Sequence, residues 1–168
     1  MLSGLLLSGI LLAASGKAAP AAVNPKLSFT SISNAAAAPS AITFSASNPT
    51  GSPVVAGSSS VVVSWTTTGT FLGSWNLAVS APASFSSCPW IPVSAVTVSC
   101  GSVTGGSGGT CGGSAALTTG AAQIASGTEG LLVATNYSVS LNFTLQDSWK
   151  YIASTSCSLS VSYTITAN

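Results

Sequence analysis

The chain has 168 residues and a formal net charge of +1; its five charged side chains are Lys17, Lys26, Lys150, Glu129 and Asp147, and it has no histidine or arginine. Nucleic-acid binding is excluded, because phosphate contacts need clustered Lys and Arg, and so is a Ser-His-Asp triad. General acid–base catalysis most often uses histidine, and a glycosidase would need the only two acids, Glu129 and Asp147, to meet, so the expectation is no enzyme and no cofactor.

The 33 serines, 18 threonines and 17 glycines would suit a disordered chain. Disorder, however, goes with too few apolar residues to offset ordering entropy. Here Val, Leu, Ile and Phe recur with a period of two from residue 27 onward, which reads as strands, and the length suits one domain.

Residues 1–21, MLSGLLLSGILLAASGKAAPA, read as a signal peptide or hydrophobic targeting segment. Leu2 to Ala14 form an apolar stretch of signal-peptide length, and Ala19-Pro20-Ala21 supplies a small-residue cleavage pattern, although no Lys or Arg precedes the stretch. At about 14 residues it is short for a bilayer-spanning helix, which takes roughly 20, and the alternative is a retained hydrophobic anchor. No later apolar run approaches that length, so no stable membrane span is expected in the mature chain. Cleavage would also remove Lys17 and leave two lysines against two acids. A chain without net charge has little repulsion to hold copies apart, which suits a homo-oligomer or homopolymer.

Residues 22–40 hold a short strand, LSFTSI at 27–32, followed by an Ala/Pro linker, NAAAAPS. Leu27, Phe29 and Ile32 of this tethered strand could complete the sheet of a neighbouring copy, as in donor-strand assembly. The alternative is an ordinary first strand.

Residues 41–168 read as a β-domain. Strands are expected at AITFSA (41–46), SVVVSWTTT (60–68), WNLAVS (75–80), VSAVTVS (93–99), within 114–133, at NYSVSLNFTLQ (136–146) and at CSLSVSYTIT (157–166). That makes about eight in all, counting the N-terminal one. Trp65 and Trp75 share parity with Val61, Val63, Leu77 and Val79, which assigns them to the core. Short strands with one wet, uncharged face imply an all-β fold: antiparallel sheets packed as an immunoglobulin-like or jelly-roll-like sandwich. Its edge strands would lack charged gatekeepers.

The cysteines stand at 88, 100, 111 and 157. CGSVTGGSGGTC, from Cys100 to Cys111, packs five glycines between two of them. A phosphate loop would need a lysine and a Ser/Thr after its glycines, opening a helix, and neither follows. A metal site would want closely paired ligands such as C-x-x-C, which are absent. Two disulfides remain, with three possible pairings. Cys100–Cys111 around the glycine turn and Cys88–Cys157 tying a loop to the last strand is the favoured set, because Cys157 lies on the apolar parity of its strand.

CPWIP holds Trp90 between prolines in a rigid non-strand segment, and DSWKYI places Trp149 and Tyr151 beside Asp147. Exposed aromatics beside a carboxylate form a platform for sugar stacking and hydrogen bonding; otherwise Trp90 and Trp149 cap the ends of the sandwich. Asn136 and Asn142 begin the sequons Asn-Tyr-Ser and Asn-Phe-Thr on the polar parity of their strand, and are candidate glycosylation sites. The sequence points to an extracellular or cell-surface structural protein, a filament, pilus-like fibre or surface layer built by strand complementation. A secreted carbohydrate-binding or adhesive module is the alternative.

Overall fold

The structure is a computed structural model that describes residues 22–23, 31–45, 50–51, 53–68, 73–129, 133–148 and 157–167. Its strands are β1 (Ala22–Val23), β2 (Ser31–Ala38), β3 (Val54–Ala56), β4 (Val61–Thr68), β5 (Ser74–Ser80), β6 (Ser84–Phe85) and β7 (Cys88–Pro92), then β8 (Val96–Thr104), β9 (Thr110–Cys111), β10 (Ala115–Ala116), β11 (Ala122–Thr128), β12 (Ala134–Gln146) and β13 (Ser162–Ala167). A 3₁₀ turn at Val93–Ala95 precedes β8, and there is no α-helix among the described residues. No helix there is long and apolar enough to cross a membrane.

The strands build two large sheets. Sheet one has the order β1-β13-β5-β11-β9, and sheet two the order β10-β8-β12-β4-β2, with β3 also paired to β12. The hairpin β6–β7 belongs to neither. Pairing is antiparallel throughout the described ladders except between β1 and β13, where Ala22 and Val23 lie opposite Thr164 and Ile165 in parallel.

β12 organises sheet two. It runs beside β4 from Ala134↔Thr68 to Leu141↔Val61 and beside β8 from Ser138↔Thr104 to Leu145↔Val96. Successive side chains of a strand point to opposite faces, so Tyr137, Val139, Leu141, Phe143 and Leu145 all turn inward and are buried. β4 contributes Val61, Val63 and Trp65, and from the other sheet β5 contributes Trp75, Leu77 and Val79 and β13 contributes Tyr163 and Ile165. These residues of both sheets share one core. Each buried aliphatic side chain among them stabilises the fold by about 1.5–3 kcal/mol. Trp65 meets Trp75 edge-on with ring centroids 4.9 Å apart, and Tyr137 stacks on Trp65 at 5.7 Å.

Five sequence expectations shift, the simplest being that CSLSVSYTIT is strand only from Ser162, as β13. The alanine run read as a linker is itself strand: β2 pairs antiparallel with β4, Ile32 opposite Thr67 and Ala37 opposite Val63. Alanine is a weak strand former, but the hydrogen bonds of a ladder are backbone bonds, and the exposed side of β4 offers them. AITFSA, in contrast, joins no ladder in residues 41–45. With that side of β4 taken by β2, Thr43 bonds instead to the turn ahead of β4; its N–H donates to Ser58 Oγ at 3.1 Å and its carbonyl accepts from Ser58 N–H at 2.9 Å. CPWIP, read as non-strand, is β7, paired with β6 through Phe85↔Cys88 and Ser84↔Pro92. Prolines are tolerated on such an edge strand. The first three residues of VSAVTVS form the 3₁₀ turn, and β8 then runs on to Thr104.

Candidate functional site

Both disulfides take the favoured pairing: Cys88–Cys157, with Cα atoms 5.5 Å apart, and Cys100–Cys111, at 5.3 Å. No free cysteine is found among the described residues, and two such bridges fit an oxidising, extracellular setting. The small bridge closes the glycine turn after β8, where Gly105, Gly106 and Gly108 have φ of +91°, +61° and +76°. Those values lie in the left-handed region open chiefly to glycine. Space requires glycine there as well. A Cβ on Gly106 would stand 2.5 Å from Tyr137 Cε1, and one on Gly127 of the adjoining β11 would stand 2.5 Å from Trp75 Cζ2. The Tyr137 hydroxyl donates to the Thr128 carbonyl at 2.9 Å, and the Thr128 hydroxyl donates to the Ser107 carbonyl. This turn is a lid laid directly on the aromatic core. Among the described residues no group of three metal-type ligands occurs, there or elsewhere.

The opposite end of β12 is open. There the chain forms a groove of about 510 Å³ lined by Trp90, Pro92, Ser94, Gln146, Asp147 and Ser148. Trp90 is 40% exposed, whereas its neighbour Ile91 is buried and holds β7 against the core. The hairpin is anchored in two ways and closed on itself by a third contact. Cys88 is tied to Cys157, Ser86 exchanges backbone hydrogen bonds with Ser158, and Val93 N–H donates to the Ala83 carbonyl at 2.9 Å. On the other wall Asp147 N–H donates to the Pro53 carbonyl at 2.9 Å, and Asp147 Oδ1 accepts from Ser148 N–H at 2.8 Å. An exposed indole, a carboxylate and the Gln146 amide thus line one open groove.

Of the residues named for a ligand platform, Trp90 and Asp147 line this one groove; Trp149 and Tyr151 lie outside the described residues. Gln146, Ser94 and Ser148 were not singled out from sequence. The only signal for them was their position beside Asp147 and one turn beyond Trp90. Of the proposed donor-strand residues, Ile32 lies in β2 of its own chain, partly buried against the core, and Leu27 and Phe29 fall outside the described residues. Asn136 and Asn142 are both exposed on β12. Asn136 Oδ1 accepts from Thr66 Oγ1 at 2.7 Å and Asn142 Oδ1 from Ser60 Oγ at 2.6 Å. The two acids are far apart. Glu129 is buried at the end of β11, against Gly73, while Asp147 follows the far end of β12.

Comparison of this chain with protein-family models, with curated protein sequences and with solved structures finds no match.

Proposed function

We propose that this chain is an extracellular, disulfide-stapled β-sandwich subunit, immunoglobulin-like in strand order, that polymerises by β-strand complementation into a surface filament, pilus-like fibre or layer. The observation that carries the reading is the outer edge of β13. In an immunoglobulin-like sandwich one sheet has strands A-B-E-D and the other sets C, F and G side by side. Sheet two follows the first order as β2-β4-β12-β8, and in sheet one β13 stands beside β5 as F stands beside C. The place of G is bordered, among the described residues, by Ala22 and Val23 alone, opposite two residues of β13.

Among the described residues the N-terminal arm thus occupies the strand position beside β13 as β1, and it pairs with the edge of sheet two as β2. The pairings an arm makes within its own chain can form equally between copies, which makes exchange a low-cost route to assembly. Among the described side chains of the arm, Ile32, Ala35 and Ala37 of β2 reach the margin of the core, and these small contacts oppose exchange little. Export through residues 1–21 belongs to the same reading. So do glycans on Asn136 and Asn142, which would supply the solubility that charge does not.

Negative-stain electron microscopy of the unreduced protein tests this. Regular polymers are expected, and a variant lacking residues 1–30, which keeps β2, should give dispersed but folded particles. Dispersed particles from the intact chain, or polymers that persist in the truncated one, would overturn the proposal.

A further inference from the structure

We propose that the groove between β7 and the end of β12 binds neutral hexose chains, with the Trp90 indole as the stacking face and Asp147 and Gln146 as partners for sugar hydroxyls. The site uses no residue of β13 or of the N-terminal arm, so it stands independently of polymerisation.

The lining selects the ligand class. A pyranose ring presents a face of C–H groups that packs flat on an indole, and a rim of hydroxyls that both donate and accept. The groove matches both requirements, with one exposed aromatic face, a carboxylate that accepts, an amide that does both, and the hydroxyls of Ser94 and Ser148. An anion is disfavoured, because Asp147 repels it and, among the described residues, no Lys or Arg lines the groove. Among the described residues a cation would find one carboxylate, already accepting from Ser148 N–H, and a single ring rather than an aromatic cage. A wholly apolar ligand would strand the amide and the carboxylate without partners. The volume falls within the range of ligand sites.

The site is also built in advance of any ligand. Pro89 and Pro92 restrict the backbone on either side of Trp90, and the Cys88–Cys157 bridge and the Val93–Ala83 hydrogen bond fix both ends of β7. The Asp147 backbone is held by the Pro53 carbonyl. Holding both walls in place reduces the ordering that binding would otherwise cost.

Isothermal titration calorimetry of the full, unreduced chain is the test, with cellohexaose and chitohexaose as probes and choline chloride as the cationic control. The expected result is a saturable heat with at least one hexasaccharide and none with choline. Trp90→Ala should abolish it, and Asp147→Asn should weaken binding by about tenfold. Both variants alter exposed or half-exposed side chains, and unchanged thermal melts would show that they fold. Three outcomes would overturn the proposal: no saturable response to either sugar, binding that survives Trp90→Ala, or a choline response lost in that variant.

Discussion

At one end of β12 the indole of Trp75 is fully buried under the glycine turn, edge-on to Trp65 and 5.4 Å from Tyr137. At the other end Trp90 stands 40% exposed on a hairpin that belongs to neither large sheet. The ends are about 30 Å apart along the strand. Each is fastened by one disulfide, Cys100–Cys111 at the closed end and Cys88–Cys157 at the open one. The same residue type and the same kind of staple thus serve opposite ends. Where glycines let the backbone lie against the rings, tryptophan is core; where prolines and a buried Ile91 hold the strand out, tryptophan is surface.

Truncating the two indoles would separate these roles most widely. Trp75→Ala should cost about 3–5 kcal/mol, the range for emptying a buried aromatic site, read from the midpoint of urea unfolding. Trp90→Ala should fall within about 0.5 kcal/mol of the parent, as surface changes do. Comparable losses in both would remove the distinction between the ends.

Alkali probes a buried aromatic nearer the open end. Tyr163, opposite Val79 in sheet one, has its phenol pushed up to about 12 by burial. In the unfolded chain the ordinary value is about 10. Between those values the unfolded state has released the proton and the folded state still holds it, so stability falls as pH rises. The contribution is fully present below pH 10, and its loss across the window amounts to about 3 kcal/mol. Tyr163→Phe should flatten that alkaline limb in denaturant melts taken from pH 9 to 12.

Gly127→Ala measures how tightly the closed end is packed. The added methyl meets Trp75 Cζ2 at 2.5 Å, and such overpacking typically costs about 1–3 kcal/mol. Combining it with Trp75→Phe should give less than the sum of the separate losses, because the clash is with that ring. Strict additivity would show that the methyl is accommodated by the backbone instead.

The smallest expected change is a gain. Thr67 is fully buried beside this core, and its hydroxyl has no hydrogen-bond partner among the described residues. Thr67→Val keeps the shape and removes a desolvated polar group, which should raise stability by about 1 kcal/mol. A loss on that substitution would mean that the hydroxyl is satisfied in solution.

Much of the molecule follows from alternation alone. The parity of β4, β5, β12 and β13 assigns Val61, Val63, Trp65, Trp75, Leu77, Tyr137, Tyr163 and Ile165 to the interior without reference to tertiary structure, because a period of two has a single solution against a core. The cysteine pairing was also legible, since the parity of Cys157 and the short loop around the glycines pointed to one set among three. Trp90 could be recognised as unlike the other tryptophans because prolines flank it.

Which backbone pairs with which edge was decided elsewhere. Ser31–Ala38 forms a strand despite its alanines, and residues 41–45 form none despite their alternation, because the outer side of β4 can accept one partner and β2 takes it. The parallel seat of Ala22–Val23 beside β13 and the meeting of Trp90 with Asp147 depend on contacts between residues more than fifty positions apart. Local sequence sets the face on which a side chain stands. Only the assembled sheets decide which edges remain open and which side chains share a cleft, because those are properties of distant backbones competing for the same hydrogen bonds.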